Sequence, residues 1–544
     1  MSFYPHTRQL GSQPGFQLNP VRDNTNGFVT GVADQSASFV GRFKRGRIDV
    51  PFKVNRGNLK RKLGAPESLR VSALNECYVQ VYESVNNGAR EAVISRLSVE
   101  GSTNSYAVFS LDSQTGTGTF STSPTVPIAS SKYLFYLKDL ECFNDGVLLE
   151  VNAPRVLDNT DAEVATKLLT LRVREPDGTL RYEVSGSLDD KATDEYGKDN
   201  SLVARLAQVT PNVQIWCAQD ATIAPKSDCY GKATDGSAKL AKTATPLVLF
   251  NEGGTAYTNA DYDRALSALE ASTFDYGYAS TGGTQATALV SKLATLNIRA
   301  NRNLAVDVPG ELSAEAAQTW VKQLGIDSSY VSFYWAPLRT DDPLNGGRAV
   351  IGTSGYQVGL RCARNAQTNS YGLAPKNYPI AGADWPLNRT GVEQLSTPDE
   401  FALSDLADAR INPVIYQTYD EGQAGFVFSD SLTSAQTSGY LKLISVAEMS
   451  STLDDKIAKA GKKFMQLPME IALSRMDKFL EKLFKGARAS NWLVKSEDPV
   501  LGEKGWAYTV ARNEDRPADR MDVNYGTHFD GVTRAIYGQQ TISP

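Results

Sequence analysis

The chain has 544 residues, 41% of them hydrophobic and 22% charged, and its formal net charge is −5. This ordinary globular composition and the length predict about three or four domains. Histidine occurs only at His6 and His528, near the two ends, which disfavours zinc binding and His-dependent catalysis. No stretch approaches the roughly 18 apolar residues of a membrane helix, and the start of the chain shows no export signal.

The cysteines and the motif search give no sign of catalysis. The five cysteines are scattered and never spaced as Cys-x-x-Cys: Cys77, Cys142, Cys217, Cys229 and Cys362. We interpret them as small core residues of a reduced protein. The sequence contains no P-loop, no Gly-x-Ser-x-Gly and no dinucleotide fingerprint, so we expect no enzyme activity, no metal and no cofactor.

The first half of the chain combines polar stretches with short apolar elements. Residues 1–36 are rich in Gly, Pro, Asn and Gln, and their apolar side chains are too sparse to form a core. Residues 71–88 have the periodicity of an amphipathic helix. A Thr/Ser/Gly/Pro-rich stretch at 115–131 marks an insertion, about 105–245, that is predicted to be mostly β. Its clearest strands are predicted at 133–137, 169–173 and 181–184.

From residue 246 the pattern changes to alternating strands and helices, which predicts a sheet flanked by helices. Strands are predicted at 247–250, 304–308 and 331–335, and helices at 260–271, 284–300, 313–325, 450–463 and 469–488. Thr397, Pro398 and Glu400 fit the N-cap, N1 and N3 positions of a capping box, which predicts a further helix start. Residues 505–544 return to short, strand-like alternations.

Four motifs follow one another between Tyr330 and Gly382. An aromatic run ending in Ala-Pro337 predicts a buried strand, and a turn-rich stretch comes next. A helix predicted to begin at Ser354-Gly355 carries Gly359-Leu-Arg-Cys-Ala-Arg364. The loop from 372 to 382 then reads Gly-Leu-Ala-Pro-Lys-Asn-Tyr-Pro-Ile-Ala-Gly.

In this order the motifs resemble the contractile tail sheath family of bacteriophages and related injection machines. That family has an aromatic strand ending in proline, a helix carrying Gly-x-x-Ala-Arg and an Ala-Pro…Ala-Gly loop. The helix motif here is one residue longer than the commonest spacing. Further segments resemble the family at Asp307-Val-Pro309, Ala409-Arg-Ile-Asn412, Gly425-Phe-Val-Phe428, Ala37-Ser-Phe-Val-Gly41 and Lys62-Leu-Gly-Ala-Pro66. The resemblance covers roughly residues 37–105 and 246–544.

The resemblance implies a multidomain α/β (α+β) subunit without catalytic activity or cofactor. It implies an N-terminal extended arm (1–36), an inner domain in two parts (37–104 and 390–510), a β-rich outer insertion (105–245), an α/β middle domain (246–389) and a C-terminal arm (511–544). Its implied partners are copies of itself in stacked hexameric rings, a tail tube protein, and baseplate and tail terminator proteins. The implied location is the virion tail, assembled in the host cytoplasm, with no direct nucleic acid contact and no membrane insertion.

In sheath relatives the terminal arms join subunits by adding strands to a neighbour's sheet. An arm that cannot bury its own apolar groups can satisfy its backbone groups in this way. The resemblance therefore implies arm contacts at Phe16, Leu18, Val21, Val523, Tyr525, Val532 and Ile536. The alternatives are frayed termini, or a C-terminal strand that belongs to this subunit's own sheet.

Two charged segments suggest further contacts. Basic residues recur at helical spacing beside an apolar stripe, at Arg475, Lys478, Lys482 and Lys485. The resemblance implies that they face an acidic tube, and a solvated helix face is the alternative. Residues 42–62 hold nine basic residues and residues 497–530 hold eight acidic ones, so the two segments are predicted to meet between subunits. The alternative for 42–62 is a solvated basic loop.

Three other functions stay open from the sequence. The same fold could serve a phage-tail-like bacteriocin or a secretion system. The β-rich insertion could bind a carbohydrate or a receptor. A His-independent hydrolase built on the α/β part is disfavoured, because no base and nucleophile pair is evident.

Overall fold

The computed structural model describes residues 33–128, 133–419, 424–536 and 539–540. The first elements are β1 (Ser36–Gly41), β2 (Phe52–Val54), α1 (Leu59–Leu63), α2 (Glu76–Asn86) and β3 (Glu91–Arg96). The insertion follows, with β4 (Thr103–Asn104), β5 (Tyr106–Leu111), β6 (Gly118–Ser123), β7 (Tyr133–Asp139), β8 (Leu148–Asn152), β9 (Leu168–Arg174), β10 (Leu180–Ser187), α3 (Leu202–Val209), β11 (Val213–Cys217), β12 (Ala241–Lys242) and β13 (Phe250–Asn251).

The chain then returns to alternating helices and strands. These are α4 (Asn259–Glu270), β14 (Tyr278–Ser280), α5 (Thr287–Arg299), β15 (Asn303–Val308), α6 (Ala314–Leu324), β16 (Val331–Trp335), β17 (Leu338–Asp341), β18 (Arg348–Val350), α7 (Ser354–Asn365), β19 (Glu393–Gln394), α8 (Glu400–Asp408), β20 (Ile411–Thr418) and β21 (Ala424–Phe428). The last elements are α9 (Ile444–Phe464), α10 (Met469–Ala489), β22 (Trp506–Arg512) and β23 (Met521–Thr527).

An eight-stranded sheet in the order β2-β3-β1-β14-β15-β16-β20-β21 forms the centre of the molecule. Its six inner strands run parallel, and β2 and β21 close the two edges antiparallel. Helices α2 and α7 cover one face, and α4, α5, α6 and α8 cover the other. Both faces of the parallel strands are therefore buried, which explains their nearly continuous apolar sequences.

Helices α2 and α7 pack very closely because α7 has small residues where it crosses α2. A Cβ atom at Gly359 would lie 2.8 Å from the carbonyl oxygen of Ser84 in α2. The small residues of the α7 motif therefore allow the two helix backbones to approach each other.

The insertion consists of two four-stranded sheets around one core. Their orders are β11-β7-β5-β6 and β10-β9-β8-β12, and α3 packs against them. The prediction that this segment is mostly β is confirmed. The predicted strand 247–250 is wrong: Leu247 forms only an isolated bridge to Val147, and β13 is two residues long. Burial does not alternate along this run as it would in a half-buried strand, because Leu249 and Phe250 are both fully buried.

Two further predictions from the sequence need correction. The helix after Thr397 has no capping box, because α8 begins at Glu400 and is capped by Asp399. The Asp399 carboxylate accepts a hydrogen bond from the Ala402 N–H at 2.8 Å, and an aspartate is as good an N-cap as a threonine. The strand-like alternation at Val532 and Ile536 is also wrong, since no strand is present in the described residues after β23.

The mixed α/β class is confirmed, and the predicted helices and inner strands occur where expected within a few residues. The central sheet takes strands from all three segments that were assigned to separate inner and middle domains. The sheet therefore marks no boundary between those domains, and the discontinuous inner domain stays a prediction. Residues 440–529 form a largely helical unit in which a β22–β23 hairpin packs on α10, and Leu373 and Leu432 also contribute to its core. Within the described residues, no helix is long and apolar enough to cross a membrane.

Candidate assembly surfaces

The start of α7 is fixed by a buried carboxylate at the end of β15. Asp307 accepts hydrogen bonds from the N–H groups of Thr353 and Ser354, both at 2.8 Å. Its other oxygen accepts from the Gln80 amide at 2.8 Å and from the Gly283 N–H at 2.9 Å. A negative charge at a helix N-terminus, held by this many donors, is a stable arrangement. The Asp307 motif therefore has a structural role, because it joins the sheet to α2 and α7.

Glu76, at the start of α2, lies beside this carboxylate. One of its oxygens accepts hydrogen bonds from the Gly352 N–H at 2.7 Å and from Gln80 at 3.0 Å. Burial, followed by repulsion from Asp307, raises the pKa of Glu76 to about 8. Most of the Glu76 side chain is therefore protonated at pH 7, which reduces the repulsion between the two carboxyl groups.

Both arginines of the α7 motif are buried and paired with one glutamate of α9. An Arg364 Nη atom lies 2.6 Å from a Glu448 carboxylate oxygen, and an Arg361 Nη atom lies 3.5 Å from the other oxygen. All three side chains are almost completely removed from solvent. Burial alone would raise the pKa of Glu448, but the two arginines and Lys376 lower it below its ordinary value. The motif thus connects the central sheet to the C-terminal helical unit. The partner of its two arginines, Glu448, was not predicted from the sequence.

The loop at 372–382 anchors the point where the N-terminal segment joins the body. Lys376, only 4% exposed, has its Nζ atom 3.0 Å from an Asp34 carboxylate oxygen and donates to the Thr452 hydroxyl of α9 at 2.7 Å. Asn365 donates to the Asp34 carbonyl at 3.0 Å. The root of the N-terminal segment is therefore bound to both α7 and α9.

The C-terminal hairpin carries two of the predicted arm residues. Val523 pairs with Val510, and Tyr525 pairs with Tyr508, in an antiparallel ladder that belongs to this chain. The hairpin packs on α10 through stacked aromatic rings, and the ring centroids of Phe484 and Trp506 lie 5.4 Å apart. Pairing with β22 uses one edge of β23, so the prediction that these residues also join a neighbouring subunit stays a prediction.

The other predicted arm residues lie in different environments. Val532 packs against the C-terminal core, and Ile536 is 87% exposed. Between them, Arg534 donates to the Asp430 carboxylate at 2.9 Å, which holds this segment against the body instead of in a strand. Phe16, Leu18 and Val21 lie outside the described residues.

The predicted basic stripe lies on the exposed side of α10. Arg475, Lys478, Lys482 and Lys485 are all exposed, opposite the buried residues Met476, Leu480 and Leu483. Lys485 pairs with Glu481 within the helix at 2.6 Å. The other three form no ion pair with the part of the chain that the structure describes. The stripe is thus available to a partner, although its contact with a tube stays a prediction.

The basic segment 42–62 does not form the surface that the sequence suggested. Six of its nine basic residues make ion pairs within the chain: Arg42–Glu252, Lys44–Glu67, Arg45–Asp145, Arg47–Asp49, Lys53–Glu91 and Lys62–Glu141. Arg45 and Arg181 also stack over the Phe143 ring, at 4.4 and 4.1 Å from its centroid. Most of this charge therefore serves internal contacts, several of which hold the insertion, and the contact of 42–62 with 497–530 of another subunit stays a prediction.

The described residues contain no cluster of His, Cys, Asp and Glu that could hold a metal ion. Burial raises the pKa of each of the five cysteine thiols. Such thiols carry little of the thiolate form that nucleophilic attack requires.

Comparison with known proteins identifies the fold. No protein-family model and no curated protein matches the chain. The sheath tail protein of Listeria innocua matches with a TM-score of 0.53 at 9% identity, over 90% of this chain and 94% of that chain. The sheath tail protein of Desulfitobacterium hafniense matches over 96% of this chain and 98% of that chain, at 12% identity and a TM-score of 0.49. The chain has the fold of a sheath tail protein, and the predicted resemblance is confirmed at the level of fold.

Proposed function

We propose that this chain is the structural subunit of a contractile tail sheath. It would polymerise as stacked hexameric rings round a tail tube and contract to drive the tube through a host envelope. The observation that carries the proposal is the fold shared with the Listeria innocua sheath tail protein over 90% of the chain. Subunits of this kind join head to tail, and contacts that do not close into a ring extend into a helical tube.

The C-terminal hairpin supports the arm part of the proposal. In the described part of the chain it is a two-stranded sheet, so each strand has an outer edge on which a further strand could pair. An extended segment lent by a neighbour would satisfy the backbone groups of such an edge. The anchor of Asp34 on Lys376 would carry the load from an N-terminal arm into α7 and α9. Arm contacts of Phe16, Leu18, Val21, Val523, Tyr525, Val532 and Ile536 are part of this proposal.

The basic stripe of α10 supports a contact with an acidic tube. Three of its four cations have no internal ion pair among the described residues, so they are free to meet a partner's carboxylates. Complementary charge of this type increases the association rate and sets the register between partners. The proposed partners also include baseplate and tail terminator proteins, with neither direct nucleic acid binding nor membrane insertion. The proposed location is the tail of a virion assembled in the host cytoplasm.

Charge reversal on α10 tests the tube contact. The Lys478→Glu, Lys482→Glu double variant should fold normally, as judged by circular dichroism and melting temperature, but fail to assemble on its tube. A matched control reverses two exposed lysines of the insertion, Lys191→Glu and Lys198→Glu, and should assemble like the wild type. Normal assembly of the α10 variant would contradict this part of the proposal.

Two alternative functions can be tested by experiment. The same fold would serve a phage-tail-like bacteriocin or a secretion sheath, and the gene neighbourhood separates these from a phage with a head. An aromatic cluster on the insertion, in which Trp216 is exposed, favours an additional carbohydrate- or receptor-binding role. There Trp216, 39% exposed, stacks on Tyr136 with 5.0 Å between ring centroids. Glycan binding by the whole chain that disappears in Trp216→Ala would support that role.

A further inference from the structure

Helix α8 presents an acidic face with an aromatic residue at its centre. Glu400, Phe401, Asp405 and Asp408 lie on one exposed arc, opposite the fully buried Leu406. Phe401 is 83% exposed, which is unusual for so large an apolar side chain. An exposed aromatic residue surrounded by charge is typical of an interaction surface rather than of a free helix face.

The charges of this face are not neutralised within the chain. Glu400, Asp405 and Asp408 form no ion pair with the part of the chain that the structure describes. Arg534 is near enough to Asp408 to interact electrostatically, but its guanidinium is bound to Asp430. The face therefore has an excess of negative charge that a basic partner would neutralise.

A basic counterpart lies near the opposite end of the central sheet. Arg56, Lys60 and Arg61 occupy the turn after β2 and the short helix α1, and all three are exposed. Unlike most of the basic segment, they form no ion pair with the described residues. Hydrogen bonds from Thr179 are the main cause of the lowered pKa of the Asp177 carboxyl in the insertion. The nearby charge of Lys60 lowers this pKa to a smaller extent.

The acidic face and the basic turn cannot meet within one chain. Helix α8 leads into β20, and α1 follows β2, at opposite ends of the central sheet. Six strand spacings separate β2 from β20, which is about 29 Å. The two helices also pack against opposite faces of the sheet, because Leu59 belongs to one core and Leu406 to the other. Only a second molecule could bring the two surfaces together.

We propose that the α8 face, formed by Glu400, Phe401, Asp405 and Asp408, binds the turn formed by Arg56, Lys60 and Arg61 of a second copy of this chain. Arginine matches carboxylates through paired hydrogen bonds, and its flat guanidinium stacks on an aromatic ring such as that of Phe401. Because the two surfaces differ, the contact is head to tail and can repeat along a polymer. This contact rests on the proposed function, because it requires self-assembly. It would join subunits in addition to the terminal arms.

Zero-length carbodiimide crosslinking tests the contact directly, because it joins a lysine amine to a carboxylate only when the two touch. An equal mixture of labelled (¹⁵N) and unlabelled chains separates links between molecules from links within one. We expect links from Lys60 to Glu400, Asp405 or Asp408 between differently labelled chains of the assembled protein. Assembled protein whose intermolecular links never include Lys60 and α8 would overturn the inference but leave the proposed function standing. Absence of any self-assembly would count against both.

Substitutions give an independent measurement. Phe401→Ala should raise the concentration required for half-assembly about tenfold or more, as is usual for a central aromatic residue of an interface. Tyr196→Ala is the matched control, since Tyr196 is 80% exposed on the insertion, and it should assemble like the wild type. The reversal Glu400→Lys, Asp405→Lys, Asp408→Lys should block assembly, and adding Arg56→Glu, Lys60→Glu, Arg61→Glu in the same chain should restore it. An unaffected Phe401→Ala variant, or a failure of the double reversal to rescue, would refute the proposed contact.

Discussion

Replacing Glu448 by glutamine should destabilise the link between the central sheet and the C-terminal helical unit. Glu448 is fully buried and is the partner of two buried arginines, Arg361 and Arg364. Glutamine has nearly the same volume, so the substitution removes the charge without creating a cavity. In the variant, Arg361 keeps only the Tyr334 hydroxyl and nearby aromatic rings, and Arg364 keeps the Tyr378 carbonyl at 2.8 Å and the Asn365 side chain.

The expected loss follows from leaving two guanidinium charges without a carboxylate in the interior. Removing one partner of a buried ion pair typically costs about 3–5 kcal/mol. The free energy of unfolding of a whole domain is only about 5–15 kcal/mol. We therefore expect the C-terminal unit of the Glu448→Gln variant to unfold in an earlier, separate transition. Because the arginines and Lys376 lower the pKa of Glu448, the wild type should lose this stabilisation only as the pH falls below the ordinary glutamate pKa.

Urea unfolding followed by tryptophan fluorescence measures this effect, since Trp492 and Trp506 lie in the core of the C-terminal unit. Glu393→Gln provides the control, because Glu393 is about half exposed and pairs with Arg339 at the surface. A surface pair of this kind contributes about 0–1 kcal/mol. If Glu448→Gln unfolds within about 1 kcal/mol of that control, the buried pair does not hold the two parts together.

Two further substitutions test the interior and the hairpin. The pKa of Glu76 is about 8 in the folded chain and near 4.5 when unfolded, so stability should fall as the pH rises from about 5 to 8. Glu76→Gln should remove this decline, with a higher melting temperature than the wild type at pH 8; an unchanged pH profile would contradict the assignment. Gly505→Ala, at φ +72° and against the Val494 carbonyl oxygen, should expose the hairpin to proteolysis. Gly439→Ala should leave the hairpin protected, because its new Cβ atom would lie no closer than 3.4 Å to a neighbouring atom. Equal resistance of the two variants to proteolysis would contradict the prediction for Gly505.

Local sequence patterns predicted the regular elements well. The strand at 331–335 and the helices over 287–299 and 469–489 carry strong periodicity or continuous apolar runs, and they occur where the sequence predicted. Boundaries were harder to predict where two residues compete for one role, as Thr397 and Asp399 do at the start of α8. The apolar run at 247–250 does not form a strand, because at the margin of the insertion Leu247 makes only an isolated bridge to Val147.

The contacts between distant segments could not be predicted from the sequence. The motif arginines Arg361 and Arg364 were recognised, but nothing in the local sequence of α9 distinguishes Glu448 as their partner. The sequence of the basic segment 42–62 likewise does not show its internal partners, because the carboxylates that neutralise Arg45 lie at residues 145 and 175. Charge patterns show that partners are needed, and only the fold shows which partners are internal and which must come from another molecule.

Electron microscopy of the purified chain, with and without residues 1–36 and in the presence of its tube protein, tests the sheath proposal most directly. We predict tubes or stacked rings from the whole chain and loss of order along the tube axis when the N-terminal segment is removed. Tubes that survive the truncation would keep the sheath and refute the role of the N-terminal arm. A whole chain that stays monomeric at high concentration, even with the tube protein, would contradict the proposal that it is a sheath subunit.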